Sequence, residues 1–357
     1  AGFYERLRQD GCPMYQDDRR ARVQPRQVYC YAMAGVSGWA GPWRKAIDHG
    51  QSWFDKTYLL GNKLYGNLAD ANGKLLDSSF DLYNQAFALF AGAAVAAAMP
   101  ERASSEHEKA IGILDRIKKY YAHPLGGFEE GVPAIEPLRS NPHMHLLEAA
   151  LAWELIQGRD TRWISLCDEI AELAIGRFID ANSGALREYF DRSWQPIHGE
   201  QGRIVEPGHQ FEWAWLLTCW GERRGNDKAI RRAKRLFEIA EKFGVCQVRD
   251  VAVMSLDDDF CILDSAARLW PQSEWLKASL RLGLNSDGEE REQYLRSALR
   301  AHDALSFFLA APTPGLWYDT WLLEKGLIDQ PAPASSFYHI VSCIYDSSEM
   351  IKQMGKG

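Results

Sequence analysis

The chain has 357 residues, of which 41 are Lys or Arg and 48 are Asp or Glu, giving a formal charge of −7. That balance lacks the clustered positive charge of a nucleic-acid binder, and 46% hydrophobic with 25% charged residues is the make-up of a soluble globular protein. The longest apolar run, AFALFAGAAVAAAM at 86–99, falls short of the ~20 residues that cross a bilayer, so no membrane span is expected.

Helical periodicity runs along the whole chain. Buried helices, apolar on nearly every side, are predicted at 22–35, 79–99, 142–157, 208–221, 271–282 and 335–351. Two-faced helices alternate with them at 42–58, 102–120, 162–178, 226–243 and 289–309. The stretch at 226–243 is the clearest: Ala229, Ile230, Ala233, Leu236, Phe237, Ala240 and Phe243 recur at helical steps, with Gly244 as the stop. Short strands at 63–68 and 74–76 flank Ala71-Asn72-Gly73, a hairpin signal.

One polar residue per buried helix keeps a regular spacing of 59 to 65 residues: Arg26, Gln85, His145, His209, Glu274 and His339. Six buried helices backed by outer ones point to an all-α fold, an (α/α)6 barrel of six inner and about six outer helices. No low-complexity linker divides the chain, so residues 1–357 are expected to form one domain. Ala1–Asp10 has no apolar stretch of the signal-peptide kind, and the seven cysteines form no CxxC pair. Free thiols in the cytoplasm are the expectation.

Polar groups buried without partners cost several kcal/mol, roughly 2–7 each. Their recurrence near the starts of the inner helices therefore places a polar cleft at one end of the barrel. The sharpest cluster is Glu206-Pro-Gly-His209-Gln-Phe-Glu212-Trp213, where His209 and Glu212 share a helix face and offer an imidazole beside a carboxylate. In Asn141-Pro-His143-Met-His145, Asn141 and His145 share a face, and His143 lies off it as a structural residue. A zinc site on this His-x-His lacks a third ligand at a suitable spacing. Ser336-Phe-Tyr338-His339 opens the last inner helix, which ring closure would set beside Arg26. A guanidinium inside a cavity requires a carboxylate or an oxyanion, so Arg26 either forms a salt bridge or steadies a sugar oxygen. Trp270-Pro-Gln-Ser-Glu274 offers a ring to stack on a sugar and a carboxylate for its hydroxyls. Arg203 is a further basic candidate near the cleft. Phosphate-loop, dinucleotide, GxSxG and HExxH motifs are absent from the sequence, and Asp257-Asp258-Asp259 reads as a solvated loop.

At these residues the sequence resembles the N-acylglucosamine 2-epimerase superfamily, from RVQPRQVY at 22–29 through NPHMHLLEA at 141–149, EPGHQFEW at 206–213 and WPQSE at 270–274 to Tyr338-His339. The resemblance implies an (α/α)6 barrel and proton transfer beside a sugar carbonyl, with no metal or redox cofactor. By position, His209 and His339 are similar to the family's acid/base histidines and Arg26 to the arginine at the substrate's O1/O2. Asn141 and His145 match its pocket-lining polar pair, and Glu212 and Glu274 its cavity carboxylates. Tyr83 matches a contact at the mouth. A homodimer through the outer helices is the assembly the resemblance implies.

Two departures narrow the substrate. Ala334 stands where cellobiose epimerases have a Trp, which argues against a disaccharide. Ile-Val-Ser-Cys follows His339 where N-acylglucosamine epimerases have an Arg. The reading is therefore a metal-independent aldose–ketose isomerase of the D-mannose/D-fructose type, acting on the free sugar or its 6-phosphate. His339 would take the C2 proton, His209 would serve ring opening or the carbonyl oxygen, and Arg26 would hold the enediolate. A sugar 2-epimerase is the rival, because the face of reprotonation is not written in the sequence. A glycoside hydrolase using Glu206, Glu212 or Glu274, or a non-catalytic sugar binder, are the readings from other classes.

Overall fold

In the computed structural model, which describes residues 2–158 and 160–355, helices alternate between two layers. In chain order they are α1 (Val23–Val36), α2 (Trp43–Tyr58), α3 (Leu82–Ala98), α4 (Ala103–Tyr121), α5 (Ser140–Ile156) and α6 (Thr161–Leu173). There follow α7 (Pro207–Arg224), α8 (Asp227–Gly244), α9 (Leu269–Leu284), α10 (Gly288–Leu309) and α11 (Ala334–Met354). The odd-numbered helices form the inner ring, each packed on the next, and α11 closes the ring against α1. All six inner helices lie where the low-charge segments predict them. The barrel is the (α/α)6 arrangement, with five outer helices among the described residues rather than six.

Composition assigns each helix its layer. α8 keeps its Lys and Arg outward and buries Ala229, Ala233, Leu236, Phe237 and Ala240 on one stripe. Its start is capped by Asn226, which accepts from the Ala229 N–H at 3.1 Å. α3 is Ala-rich and buried on almost every side, as a helix between two inner neighbours and an outer layer must be.

Much of the polarity in the inner helices is structural, and it repeats. Gln24, Gln85, Gln210 and Gln272 sit in the first turns of α1, α3, α7 and α9. Each side-chain amide accepts from the N–H of one residue in the segment preceding its helix and donates to that residue's C=O. The clamped residues are Phe3, Tyr65, Leu186 and Ala252, with all eight bonds between 2.8 and 3.0 Å. On α5, His143 takes the same place, accepting from the Phe128 N–H at 2.9 Å and donating from Nδ1 to the Arg139 carbonyl at 2.9 Å. Both its ring nitrogens are occupied, so His143 is structural and stands apart from His145. Gln85, one of the regularly spaced polar residues, belongs to this set and not to the cleft.

Strands line the rim at the helix starts. Arg6–Leu7 pairs with Ala332–Pro333, tying the beginning of the chain to the start of α11. Leu138–Arg139 pairs antiparallel with Tyr189–Phe190 and carries the backbone into α5. The expected hairpin forms as Leu68–Ala69 and Leu75–Asp77, joined by Arg19–Arg20. A five-stranded antiparallel sheet was not foreseen: its two longest strands are Val251–Leu256 and Ile262–Arg268, flanked by Val245–Cys246, Thr320–Leu322 and Gly326–Leu327. The alternation in VAVMSL is short, and the Asp257–Asp259 turn that follows it reads as loop.

Candidate active site

A cavity of about 350 Å³ opens at the end of the barrel where the inner helices begin. Its wall includes Arg26, Tyr83, Asn141, His145, His209, Glu212, Trp270 and His339, eight of the nine residues expected there. The ninth, Glu274, lies behind the wall, beneath His339.

Trp270, in the first turn of α9, lies close to two of the three cavity histidines, His209 and His339. Its ring centroid is 5.1 Å from that of His209 and 5.6 Å from that of His339. Gly208 makes this approach possible, because a β-carbon there would collide with the indole.

The histidines have unlike surroundings. His209 Nδ1 lies 3.0 Å from Glu188 Oε2 and 3.5 Å from Glu206 Oε2. Burial works against its charge, but the two carboxylates outweigh burial and hold the imidazolium up to about 10. No Lys or Arg among the described residues pairs with Glu188, whose other contact is the Ser140 hydroxyl at 3.1 Å. His339 Nδ1 lies 2.8 Å from Glu274 Oε1, but Glu274 Oε2 is 3.1 Å from the buried Lys277 ammonium. Burial outweighs the pull of Glu274 and takes the His339 imidazole below its ordinary value, with the charges of Arg26 and then Lys277 adding to the drop. Near neutral pH, His209 is therefore charged and His339 neutral. With Nδ1–H given to Glu274, the lone pair of His339 sits on Nε2.

Arg26 is 4% exposed, and no carboxylate among the described residues pairs with it. Nη1 donates to the Ser335 carbonyl at 3.0 Å, Nη2 donates to the Tyr83 hydroxyl, and Nε has no partner. Its guanidinium packs over Phe87 at 4.2 Å and Tyr338 at 5.0 Å. The salt-bridge reading of Arg26 has no acid to support it. A buried guanidinium of this kind calls for an anion or a polarised oxygen.

His145 Nδ1 lies 3.2 Å from Glu148 and 3.5 Å from Glu212. Burial and then the charge of Arg26 push this imidazole well below its ordinary value, so it is neutral. Burial, with Glu274 and Glu148 nearby, raises the Glu212 carboxyl well above the usual range. Neither Glu212 oxygen has a hydrogen-bond partner, and Asn141 Oδ1 has none either. A carboxyl that burial pushes toward its neutral form and an amide oxygen, both unpartnered in a cavity wall, suit the hydroxyl groups of a sugar.

Sequence reasoning missed Glu188. The signal was there in principle: Leu186-Arg187-Glu188-Tyr189-Phe190 sets a buried carboxylate directly before the short strand Tyr189–Phe190. Its neighbour Tyr189 pairs with Arg139, so the ladder delivers Glu188 to the start of α5. Arg203 lies elsewhere, on the outer surface, held by Asp257, Asp258 and Asp259. That cluster is a charged turn apart from the cavity. Two trios of ligand-type atoms, His145/Glu148/Glu212 and Glu188/Glu206/His209, each lie within 4.8 Å. In both, the histidine Nδ1 is already directed at a carboxylate.

The sequence model of N-acylglucosamine 2-epimerase matches residues 2–343. A mannose-6-phosphate isomerase of Rhizobium meliloti (strain 1021) is 54% identical over 354 residues, covering 99% of this chain and 91% of that protein. Among solved structures, a D-mannose isomerase superposes with a TM-score of 0.88 at 20% identity, covering 98% of this chain and 92% of the other. A cellobiose 2-epimerase from Bacillus thermoamylovorans B4167 does so with a TM-score of 0.85 at 16% identity and the same coverage.

Proposed function

Since the chain belongs to the N-acylglucosamine 2-epimerase family and is an enzyme of its sugar isomerase and epimerase group, we propose that it is a metal-independent aldose–ketose isomerase acting on D-mannose and D-fructose or a close relative. One observation carries this reading: two histidines flank Trp270 in one cavity and stand in opposite charge states. Two titratable groups driven apart by their surroundings make an acid and a base.

His339, neutral, takes the proton from C2 of the ring-opened aldose through Nε2. His209, charged, donates to O1 as the enediol forms and then recovers a proton from O2. Protonated His339 returns its proton to C1, which yields the ketose. Arg26 supplies charge to the enediolate oxygens in a dry wall, where such an interaction is strongest. Glu212, Asn141 and His145 hold hydroxyls along the chain of the sugar, and Trp270 covers a face of it.

Glu274 acts here as the group that orients His339 rather than as a sugar contact. Epimerisation needs a base on the opposite face of C2, and of the two histidines beside Trp270 His339 alone is neutral. Proton NMR of the enzyme with D-mannose in D2O, without added metal, tests the reading. Fructose carrying deuterium at C1 is the expected product. Glucose without fructose would make the enzyme a 2-epimerase, and neither product would reject free mannose as substrate.

A further inference from the structure

The mouth of the cavity has a charge imbalance on one side that the isomerase chemistry does not use. Arg22, at the start of α1, lies one helical turn from Arg26, so two guanidiniums share a face. Like charges at this spacing repel. Both rest on the Tyr83 ring, at 5.0 and 5.3 Å from its centroid. Arg22 is 26% exposed, and its nearest carboxylate, Asp81, is 3.9 Å away, beyond hydrogen-bond distance. Asp81 is already engaged, accepting from the Tyr83 N–H at 3.0 Å and from Arg139 at 3.3 Å. The neighbouring arginines are satisfied: Arg20 by Glu5, and Arg139 by Glu130. Burial, with Arg20 and Arg26 close by, lowers the Arg22 guanidinium below its ordinary value, a cost that a bound anion would relieve.

We propose that the Arg22 side of the cavity is a phosphate subsite, taking the monoester group of a sugar whose reacting end lies against His209 and His339. This rests on the isomerase reading and deepens it, since it names the substrate class as a sugar phosphate. Arg22 forks to two phosphate oxygens, the geometry guanidinium favours. Arg26 remains with the carbonyl end. The Tyr83 ring holds the two cations at separate places on the wall, so the phosphate and the enediolate do not compete for one guanidinium.

Calorimetric titration with two unreactive acyclic polyols tests this directly. Glucitol and glucitol 6-phosphate lack a carbonyl, so turnover does not enter. Wild-type enzyme is expected to bind the phosphate ester roughly ten- to hundredfold tighter, the range of a charge-assisted hydrogen-bonded contact. Arg22→Gln brings that ratio close to one, and Arg22→Lys keeps part of it. Should Arg22→Gln fail to fold, competition between inorganic phosphate and glucitol 6-phosphate in the wild type decides, with displacement expected. Equal binding of the two polyols by the wild type, or a full ratio in Arg22→Gln, overturns the subsite. Failure of the isomerase reading shows separately, as no ketose from mannose or its 6-phosphate, whatever the polyol ratio.

Discussion

Replacing Glu188 by Gln isolates the charge that keeps His209 protonated while leaving an oxygen to face Nδ1 and Ser140. Glu188 Oε2 is 3.0 Å from the ring nitrogen, and the ring charge is spread further back. At ~4 Å and an effective dielectric of ~20, the lost attraction is about 4 kcal/mol, or about three pKa units. His209 then falls from about 10 toward ~7. The alkaline limb of kcat/KM should move by that amount, with a loss of about a hundredfold at pH 9 and a far smaller one at pH 6.5. A pH profile from 5 to 10.5 reads this, and nitrogen-15 titration of the His209 ring checks the group itself. Stability follows with a fixed sign: a histidine raised in the folded state stabilises below ~6.5 and loses that contribution as pH rises toward its folded value. Wild-type Tm should therefore fall faster between pH 7 and 10 than Tm of the variant. A profile lowered in parallel at every pH, with the alkaline limb in place, would refute the assignment of His209 as the charged acid.

Three other outcomes test different parts of the site. His339→Asn should lower kcat by about 10³-fold or more, within the range for a lost acid–base group, and should abolish deuterium exchange at C2; retained exchange would remove His339 as the base. Lys277→Met breaks a buried ion pair with Glu274 and should cost about 3–5 kcal/mol in denaturant unfolding, most of it recovered in Lys277→Met/Glu274→Gln. In the single variant the unshielded Glu274 also raises His339, so the acid limb of kcat/KM moves to higher pH; an unmoved limb would dissociate Lys277 from the base. Activity should survive EDTA and exhaustive dialysis, and a loss restored by a divalent cation would reassign one of the His/Glu trios as a metal site.

The barrel was legible because layer and composition are coupled: an inner helix touches protein on all sides, and its sequence shows this directly. Site residues on the first turns of those helices were legible for the same reason, since polarity in such a helix needs a cause. Two causes were superimposed, however. Gln85 and His209 looked alike as polar interruptions, yet Gln85 clamps the Tyr65 backbone and His209 faces the cavity. Side-chain amides in first turns satisfy loop backbone, and only the partner, invisible in one dimension, separates them from binding groups. Glu188 escaped for the converse reason. It directly precedes a two-residue strand, Tyr189–Phe190, too short for a pattern, and its role depends on that strand's ladder to Leu138–Arg139 far off in sequence. Glu274 was found, but its depth was not: three residues further along the same helix face, Lys277 turns it from a hydroxyl acceptor into half of a buried ion pair.

The carboxylates around the cavity also explain why the histidines, rather than a pair of acids, perform the chemistry proposed here. A glycosidase requires one ionised and one protonated carboxyl facing the bond, with free oxygens on both. Here Glu274 is shut beneath His339 and held ionised by Lys277, while Glu188 directs an oxygen at His209. Glu206 lies 3.5 Å from the same imidazole, and burial raises it to about 7. Glu212 faces the cavity with its carboxyl raised well above the usual range by burial. Around His339 burial outweighs a single carboxylate, and around His209 two carboxylates outweigh burial. The difference between base and acid is thus set by burial against the number of facing carboxylates: Glu274, shared with the Lys277 ammonium, faces one imidazole, and Glu188 and Glu206 face the other.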